Sequence, residues 1–457
     1  MKSMKTISII VMITLLTGCQ QSIEVQETNL NQSDQENVYQ NDTNELPPDN
    51  KERLSDLYSG DIDYLEANKI EAYLVDRVGY YSKENGYPVV ETNQTTFYSD
   101  NKVISKPSSG QNFYGQDATY EGNKSSYIDN KDGTVSDQVT GLMWQQDPGE
   151  KLTWIEAVNK LESFDLAGYG DWRLPTIKEL YSLVQFSGVT GLSSSKSIPY
   201  IDTYYFEFEY GDQVGEARFI DSQMASSTIY DSTTMKGNAT VFGFNFADGR
   251  IKGYPITKEF YVYYVRGNTS YGQNQYVDNE DGTITDEATG LMWMELDSGH
   301  FEVGTNEDGT LDWSEALTWA ENLEYAGYDD WKLPNAKELQ SIVDYSNSPS
   351  TTNSAAIDDL FQSSKVYNYL GEEAYGYYWS STTHLDGKNQ ESKAVYVCFG
   401  EGLGVMNNQD MDVHGAGSQR SDYKSGTRSD YPRVNTNAPQ GDEQRVYNLV
   451  RLVREIN

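Results

Sequence analysis

The chain carries one stretch of sequence twice, at residues 127–183 and 276–342. The first copy begins YIDNKDGTVSDQVTGLMWQQ and the second begins YVDNEDGTITDEATGLMWME. Later in each copy, LAGYGDWRLPTIKELYSLV is matched by YAGYDDWKLPNAKELQSIV. The copies lie about 150–160 residues apart, and a domain of that length can bury a core of its own. The repeat therefore predicts two domains of the same fold, with further chain in front of the first.

Turn and cap signals recur in the same order in both copies. An Asp-Gly pair, Asp132-Gly133 in the first copy, supplies the positive-φ residue that a hairpin turn needs. Two capping boxes follow in each copy, formed by Thr153 with Glu156, Thr176 with Glu179, Asp312 with Glu315 and Asn335 with Glu338. They predict helices that start at Trp154 and Trp313, each closed by Gly168 or Gly327, and a second helix directly after each proline.

Carboxylates cluster around both hairpins, at Asp129, Asp132, Asp137, Asp278, Asp281 and Asp286. Oxygen ligands in this density are typical of calcium sites. The register of a helix-loop-helix calcium loop fails, because Lys131 or Glu280 stands at the third position and the glycine comes one residue early. The pattern favours structural turns, and a calcium site of another geometry is the alternative.

The N-terminus resembles a bacterial lipoprotein signal peptide, residues 1–18. Lys2 and Lys5 precede an apolar run too short to span a bilayer, and Leu-Thr-Gly-Cys ends at Cys19. The resemblance implies cleavage before Cys19, acylation of that residue and an outer membrane location, on the periplasmic or the surface face. Residues 19–50 are almost wholly polar and predict a disordered tether, and 51–110 is a helical or unassigned segment.

Charge and cysteine content exclude several classes of partner and chemistry. With 34 Lys and Arg against 70 Asp and Glu, the net charge of −36 opposes binding to nucleic acid. Once Cys19 is acylated, Cys398 is the only cysteine left. It lies in the strand-like run AVYVCFG and is expected to be a buried, inert thiol.

The combination of GLMW, TW-x-EA and GY-x-DWRLPT-x-KEL resembles the C-terminal domain family of the Legionella collagen-like adhesin. The resemblance covers two tandem domains, 111–268 and 269–457. It implies an α+β, C-type-lectin-like fold in which two helices flank a small, irregular antiparallel sheet with long loops. The family is associated with sulfated polysaccharide, but the acidity of this chain has the wrong sign for a polyanion. A neutral glycan or a protein is the expected ligand.

Differences between the copies are the candidate ligand-binding features. Trp379 stands where the first copy has Ala225, and residues 297–308 form an acidic insertion in the second copy. Arg451 and Arg454 belong to the closing Arg-x-x-Arg segment, of which the first copy keeps only the last arginine, Arg266. Both arginines are candidates for ligand binding, although internal salt bridges are favoured.

No catalytic constellation is recognisable. The three histidines, His300, His384 and His414, are scattered, without metal-ligand spacing or a Ser-His-Asp order. We therefore expect a cofactor-free, non-enzymatic surface lipoprotein for adhesion or carbohydrate binding, with an extracellular glycan or envelope protein as partner. The alternatives are a structural or assembly component of the cell envelope and a hydrolase that uses clustered carboxylates.

Overall fold

A computed structural model describes residues 86–212, 218–431 and 440–456. The predicted signal peptide 1–18, Cys19, the tether 19–50 and residues 51–85 of the N-terminal segment lie outside the described residues. The described ranges belong to one compact unit. Residues 111–268 and 269–457 are called the first and second repeat below.

The first repeat follows two short strands, β1 (Phe97–Tyr98) and β2 (Val103–Ile104). Its elements, in chain order, are β3 (Tyr127–Asp129), β4 (Thr134–Asp137), β5 (Leu142–Gln145), β6 (Leu152–Thr153), α1 (Trp154–Lys160), α2 (Ile177–Ser182), β7 (Gln223–Thr234), β8 (Asn238–Asn245), β9 (Arg250–Pro255), β10 (Glu259–Phe260) and β11 (Val265–Gly267).

The second repeat has the same order of strands and helices, with additional hairpins. Its elements are β12 (Tyr276–Asp278), β13 (Thr283–Asp286), β14 (Leu291–Met294), α3 (Trp313–Asn322), α4 (Ala336–Ser341), β15 (Lys365–Tyr367), β16 (Glu373–Tyr375), β17 (Tyr377–His384), β18 (Lys393–Cys398), β19 (Leu403–Met406), β20 (Gln409–Asp412), β21 (Gln419–Tyr423), β22 (Gln440–Asp442) and β23 (Val453–Glu455). Strands thus dominate, with four short α-helices among the described residues, and the α+β class is confirmed.

Each repeat contains a four-stranded antiparallel sheet that its own last strand completes. The strand orders are β11-β5-β4-β3 and β12-β13-β14-β23. The buried tryptophans of the two GLMW strands, Trp144 and Trp293, stand opposite Val265 and Val453. The ends of each repeat therefore meet, so that each closes on itself as an α+β unit.

A six-stranded sheet joins the two repeats. Its order is β17-β18-β21-β9-β8-β7, with three strands from each repeat. At the centre, β21 pairs antiparallel with β9, where Gln419 lies opposite Ile251. One buried cluster of apolar side chains also includes members of both repeats, such as Phe244 and Val395. The repeats are therefore fused through a common sheet and core.

All four predicted capping boxes are present. In α2, the Glu179 N–H donates to Thr176 Oγ1 at 3.2 Å and the Thr176 N–H donates to a Glu179 oxygen at 2.7 Å. The same glutamate forms a buried ion pair with Arg173, as Glu338 does with Lys332 in the second repeat. These residues fix where the helices begin, because they satisfy N–H groups that have no partner inside the helix.

The prediction that Gly168 and Gly327 close the first helices is wrong. Helix α1 ends at Lys160 and α3 ends at Asn322, several residues before the glycines. The glycines instead serve tight turns, in which Gly168 has φ +78° and the Tyr169 N–H donates to the Leu166 carbonyl at 3.1 Å. A glycine with positive φ suits a helix end and a tight turn equally, so the sequence alone did not separate the two.

Residues 86–110, which the sequence left helical or unassigned, and residues 111–123 at the start of the first repeat run across both repeats. The Gln94 amide donates to the carbonyls of Phe186 and Thr383, one in each repeat, at 3.1 and 2.8 Å. The buried Asp117 accepts hydrogen bonds from Thr92 and Thr382. Burial raises the pKa of Asp117 to about 7. This segment therefore fastens the two repeats together through buried polar contacts.

Candidate functional site

Two lysines at equivalent positions of the repeated KEL segment cross the boundary between the repeats. Lys178 Nζ donates to the Ser341 carbonyl at the end of α4 at 2.6 Å. Reciprocally, Lys337 Nζ donates to the Ser182 carbonyl at the end of α2 at 2.7 Å. Burial lowers the pKa of Lys178 to about 8 and that of Lys337 to about 7. The exchange relates the repeats by an approximate twofold axis and brings the two helices into contact.

A cleft of about 360 Å³ opens beside this boundary, and we call it the seam cleft. Its lining residues come from the first repeat, from the chain between the repeats and from the second repeat: Thr176, Ile177, Lys178, Thr228, Gly272, Gln273, Asn274, Tyr276, Ile342, Val343, Asp344, Tyr345, Ser346 and Asp358. Its volume falls within the usual range of ligand pockets. Hydroxyl, amide and carboxylate groups alternate with two tyrosine rings, a lining that suits a polar ligand with flat apolar parts.

Hydrogen bonds within the cleft and to the buried Asp286 hold its polar groups in place. Asn274 accepts from Lys178 Nζ at 2.7 Å and donates to Asp286 at 2.7 Å. Asp344 accepts from the N–H and the hydroxyl of Ser346, at 2.9 and 2.6 Å. These contacts fix one amide and one carboxylate at the edge of the cleft before any ligand arrives, which lowers the entropy cost of binding.

The three candidate ligand residues of the sequence lie in the interior. Trp379 is fully buried on β17 and its Nε1–H donates to the Leu311 carbonyl at 2.9 Å. Arg451 is fully buried and donates to the carbonyls of Met294, Glu295 and Gln362. Arg454 pairs with Asp330 at 2.6 Å. None of the three lines the seam cleft.

The insertion 297–308 is anchored by a buried carboxylate rather than by a catalytic relay. Asp297 accepts from Ser364 Oγ at 2.6 Å, and His300 Nδ1 lies 3.0 Å from Asp297 and 3.1 Å from Ser364. Burial raises the pKa of Asp297, but the His300 hydrogen bond and the nearby Arg451 charge outweigh it and hold the pKa below its usual value. Ser364 and Asp297 thus both lie beside the same nitrogen of His300, Nδ1. In a hydrolase triad the serine contacts one ring nitrogen of the histidine and the aspartate contacts the other.

The six aspartates considered for calcium act as turn residues. In the first hairpin Asp129 and Asp132 accept the N–H groups of Lys131 and Thr134, at 2.8 and 3.1 Å. In the second hairpin, Asp278 and Asp281 accept the N–H groups of Glu280 and Thr283 in the same way. The buried Asp137 and Asp286 accept the N–H groups of Val139 and Ala288 in the turns that follow. Within the described ranges no three His, Cys, Asp or Glu side chains form a metal-ligand group. The geometry supports the turn interpretation.

The remaining observations concern the second cysteine and membrane-spanning helices. Cys398 is buried, as expected, and burial raises the pKa of its thiol to about 12, which leaves little of the reactive thiolate at neutral pH. Across residues 86–212, 218–431 and 440–456, no helix has the length and apolarity to cross a membrane.

The sequence did not single out the seam cleft, because its lining comes from three separate parts of the chain. One signal was present, namely the lysine that stands at the same position in both KEL segments. A lysine in the first turn of an amphipathic helix is ordinarily a solvated residue, so only the packing of α2 against α4 gives this one its role.

Fold and site together define a fused pair of α+β repeats with a polar cleft at their boundary. The model of the Lcl C-terminal domain family matches residues 133–266 and 282–415, more than half of the chain. The chain belongs to the Lcl C-terminal domain family, in two tandem copies, as the sequence motifs predicted. Neither a curated protein nor a solved structure matches the chain.

Proposed function

We propose that this protein is a non-enzymatic binding or adhesion module of the cell envelope, in which the seam cleft is the binding surface. The observation that carries the proposal is the cleft itself, an open polar volume of about 360 Å³ with preset amide and carboxylate groups. The family is associated with adhesin-like proteins. The proposal takes each repeat as a C-type-lectin-like domain.

The expected ligand is a neutral glycan or a segment of protein. The net charge of −36 repels polyanions, and two carboxylates, Asp344 and Asp358, line the cleft. Both carboxylates accept hydrogen bonds only, so they favour hydroxyl, amide or ammonium donors on the ligand. Tyr276 and Tyr345 add ring faces on which a sugar or an apolar side chain can pack.

The proposal also includes an N-terminal lipid anchor at Cys19 in the outer membrane. In fractionated cells, Cys19→Ser is expected to move the full chain from the membrane fraction to the soluble fraction, because more than one acyl chain is needed for stable anchoring. Cys398→Ser, which changes the other cysteine, should stay with the membrane. Equal membrane retention of all three proteins on immunoblots would contradict the anchor.

Binding through the seam cleft can be tested by filling it. Gln273 is exposed at the cleft and Lys124 is its exposed counterpart, three residues before Tyr127 as Gln273 is before Tyr276. We expect the full wild-type chain and Lys124→Trp to bind a neutral-glycan array or an envelope protein extract. Gln273→Trp should bind at least about tenfold more weakly, a loss of about 1.4 kcal/mol.

Two results would count against this function. The first is a wild-type chain that retains neither a glycan nor an envelope protein. The second is equal binding by wild type, Gln273→Trp and Lys124→Trp, which would place the binding surface elsewhere. Matching thermal unfolding of the three proteins provides the control for folding.

A further inference from the structure

A groove on the other side of the boundary between the repeats is filled by the chain's own residues 89–94. The Phe186 N–H donates to the Thr92 carbonyl at 2.7 Å, and the Gln94 amide returns a hydrogen bond to the Phe186 carbonyl at 3.1 Å. Lys337 Nζ donates to the Glu91 carbonyl at 3.1 Å. This segment is thus held through two backbone carbonyls and the Gln94 side chain, and its backbone turns at Asn93, where φ is +62°.

Side chains add two further contacts to that groove. Asn93 Nδ2 donates to Gln185 Oε1 at 3.3 Å. Asp117, which follows in the same N-terminal segment, accepts from Thr382 Oγ1 at 2.5 Å, while that hydroxyl oxygen accepts the Ala336 N–H at the start of α4. An amide donor and a carboxylate acceptor therefore accompany the backbone contacts of the segment.

The seam cleft is the equivalent of the filled groove when the two repeats are exchanged. KELYSLVQF in the first repeat aligns with KELQSIVDY in the second, so that Gln185 and Phe186 correspond to Asp344 and Tyr345. The backbone confirms the alignment, because the N–H groups of Gln185 and Asp344 donate to the carbonyls of Tyr200 and Ala356, at 2.9 and 3.0 Å. Tyr345, Asp344 and the counterparts of Lys337 and Thr382, namely Lys178 and Thr228, all line the cleft.

Two groups of the seam cleft lack the partner that their counterparts have in the filled groove. The Tyr345 N–H, counterpart of the donor to Thr92, has no acceptor within the described chain. Thr228 Oγ1 accepts the Ile177 N–H at 2.9 Å, as Thr382 does for Ala336, but no described group accepts its own hydroxyl proton. A third group has a different partner in each groove. Lys337 donates to the Glu91 carbonyl in the filled groove, whereas Lys178 donates to Asn274 in the seam cleft.

We propose that the seam cleft binds a short polypeptide segment of a partner protein, in the manner in which the other groove holds residues 89–94. A backbone carbonyl of the partner accepts the Tyr345 N–H, and an oxygen of the partner accepts the Thr228 hydroxyl proton. A side-chain amide or ammonium group donates to Asp344, which stands where Gln185 accepts from Asn93. This inference rests on the proposed function, in which the cleft is the binding surface.

Peptide is favoured over glycan because the equivalent N–H and hydroxyl in the filled groove donate to polypeptide groups, the Thr92 carbonyl and the Asp117 carboxylate. The carboxylates of Asp344 and Asp358 add charge complementarity for a peptide that carries Asn, Gln or Lys at the matching position.

The chain supplies its own probe for the test. A synthetic peptide PVVETNQ, the sequence of residues 88–94, is titrated into the full chain by isothermal calorimetry, with a scrambled peptide as control. Wild type and Lys124→Trp should bind it with equal affinity. Gln273→Trp, which fills the seam cleft and leaves the other groove untouched, should bind it at least about tenfold more weakly.

The inference is overturned by a wild-type chain that takes up no peptide, or that binds the scrambled peptide equally well. It is also overturned if Gln273→Trp binds as wild type does, since the peptide would then be exchanging with residues 89–94 in their own groove. Retention of a neutral glycan without peptide binding would sink the peptide proposal and leave the proposed binding function standing. Failure with glycan, envelope extract and peptide alike would remove both.

Discussion

Trp379→Ala is expected to lower the free energy of unfolding by about 3–5 kcal/mol, the usual cost of deleting a large buried ring. Trp379 is fully buried among the side chains of the second repeat, where its ring lies 6.4 Å from that of Tyr396. Alanine would leave a cavity and would also leave the Leu311 carbonyl without its donor. Chemical denaturation followed by far-UV circular dichroism measures the loss.

Trp319→Ala provides the control for this substitution. Trp319 is only half-buried and packs at the edge of the same cluster against Phe301, with ring centroids 5.6 Å apart. Its removal should cost less than half as much. If instead Trp379→Ala unfolded like wild type and lost ligand binding, the tryptophan would be a ligand contact and its buried position would be wrong.

Arg451→Ala is expected to destabilise the protein by about 3–5 kcal/mol, as breaking a buried charged network does. The guanidinium ties β14 to the segment at Gln362, with hydrogen bonds of 3.0 Å to the Met294 carbonyl and 2.8 Å to the Gln362 carbonyl. It also lies 3.9 Å from Asp297, whose charge would be left buried. Arg451→Lys should recover only part of the loss, because an ammonium cannot reproduce the planar fork.

Arg454→Ala is the matched comparison, three residues along the same closing segment. Its partner Asp330 is about half exposed, so water screens that ion pair. The first repeat has the equivalent pair, Arg266 with Asp171, and in both repeats the arginine lies over a tyrosine ring, at 4.0 Å in the second and 3.8 Å in the first. Equal losses for Arg451→Ala and Arg454→Ala would contradict the structural role assigned to Arg451.

The differences between the repeats thus serve packing at the positions that the sequence marked. Where the second repeat has Arg451, the first has Tyr263, whose hydroxyl donates to the Glu207 carbonyl. Each side chain is buried and satisfies a carbonyl of its own repeat. Sequence comparison detects that two positions differ, but it cannot tell a change of ligand from a change of internal partner, because both appear as a substitution at the same position.

The two equivalent grooves at the boundary between the repeats differ in whether a segment of the chain covers them. Residues 89–94 fill the groove beside Phe186, whereas the equivalent space beside Tyr345 is the open seam cleft. The sequence placed residues 89–94 in an unassigned segment, since a six-residue stretch without regular secondary structure has no periodic pattern to reveal it. Its partners are about 90 and 290 residues away along the chain.

The sequence by itself determined the doubling, the family, the α+β class and the start of every described α-helix. These follow from local chemistry, because a capping residue such as Thr176 acts on N–H groups within three positions of itself. The ends of α1 and α3 were not determined in this way, since Gly168 and Gly327 fit a helix cap and a turn alike.

Only the tertiary structure decided that the two repeats share one sheet and that one of two equivalent grooves is open. It also decided that Lys178 and Lys337 each donate to a backbone carbonyl of the other repeat. The physical reason is that these features depend on the packing of one repeat against the other. Both repeats carry the same local signals, namely caps and turns. Such signals do not specify which distant surface packs against them.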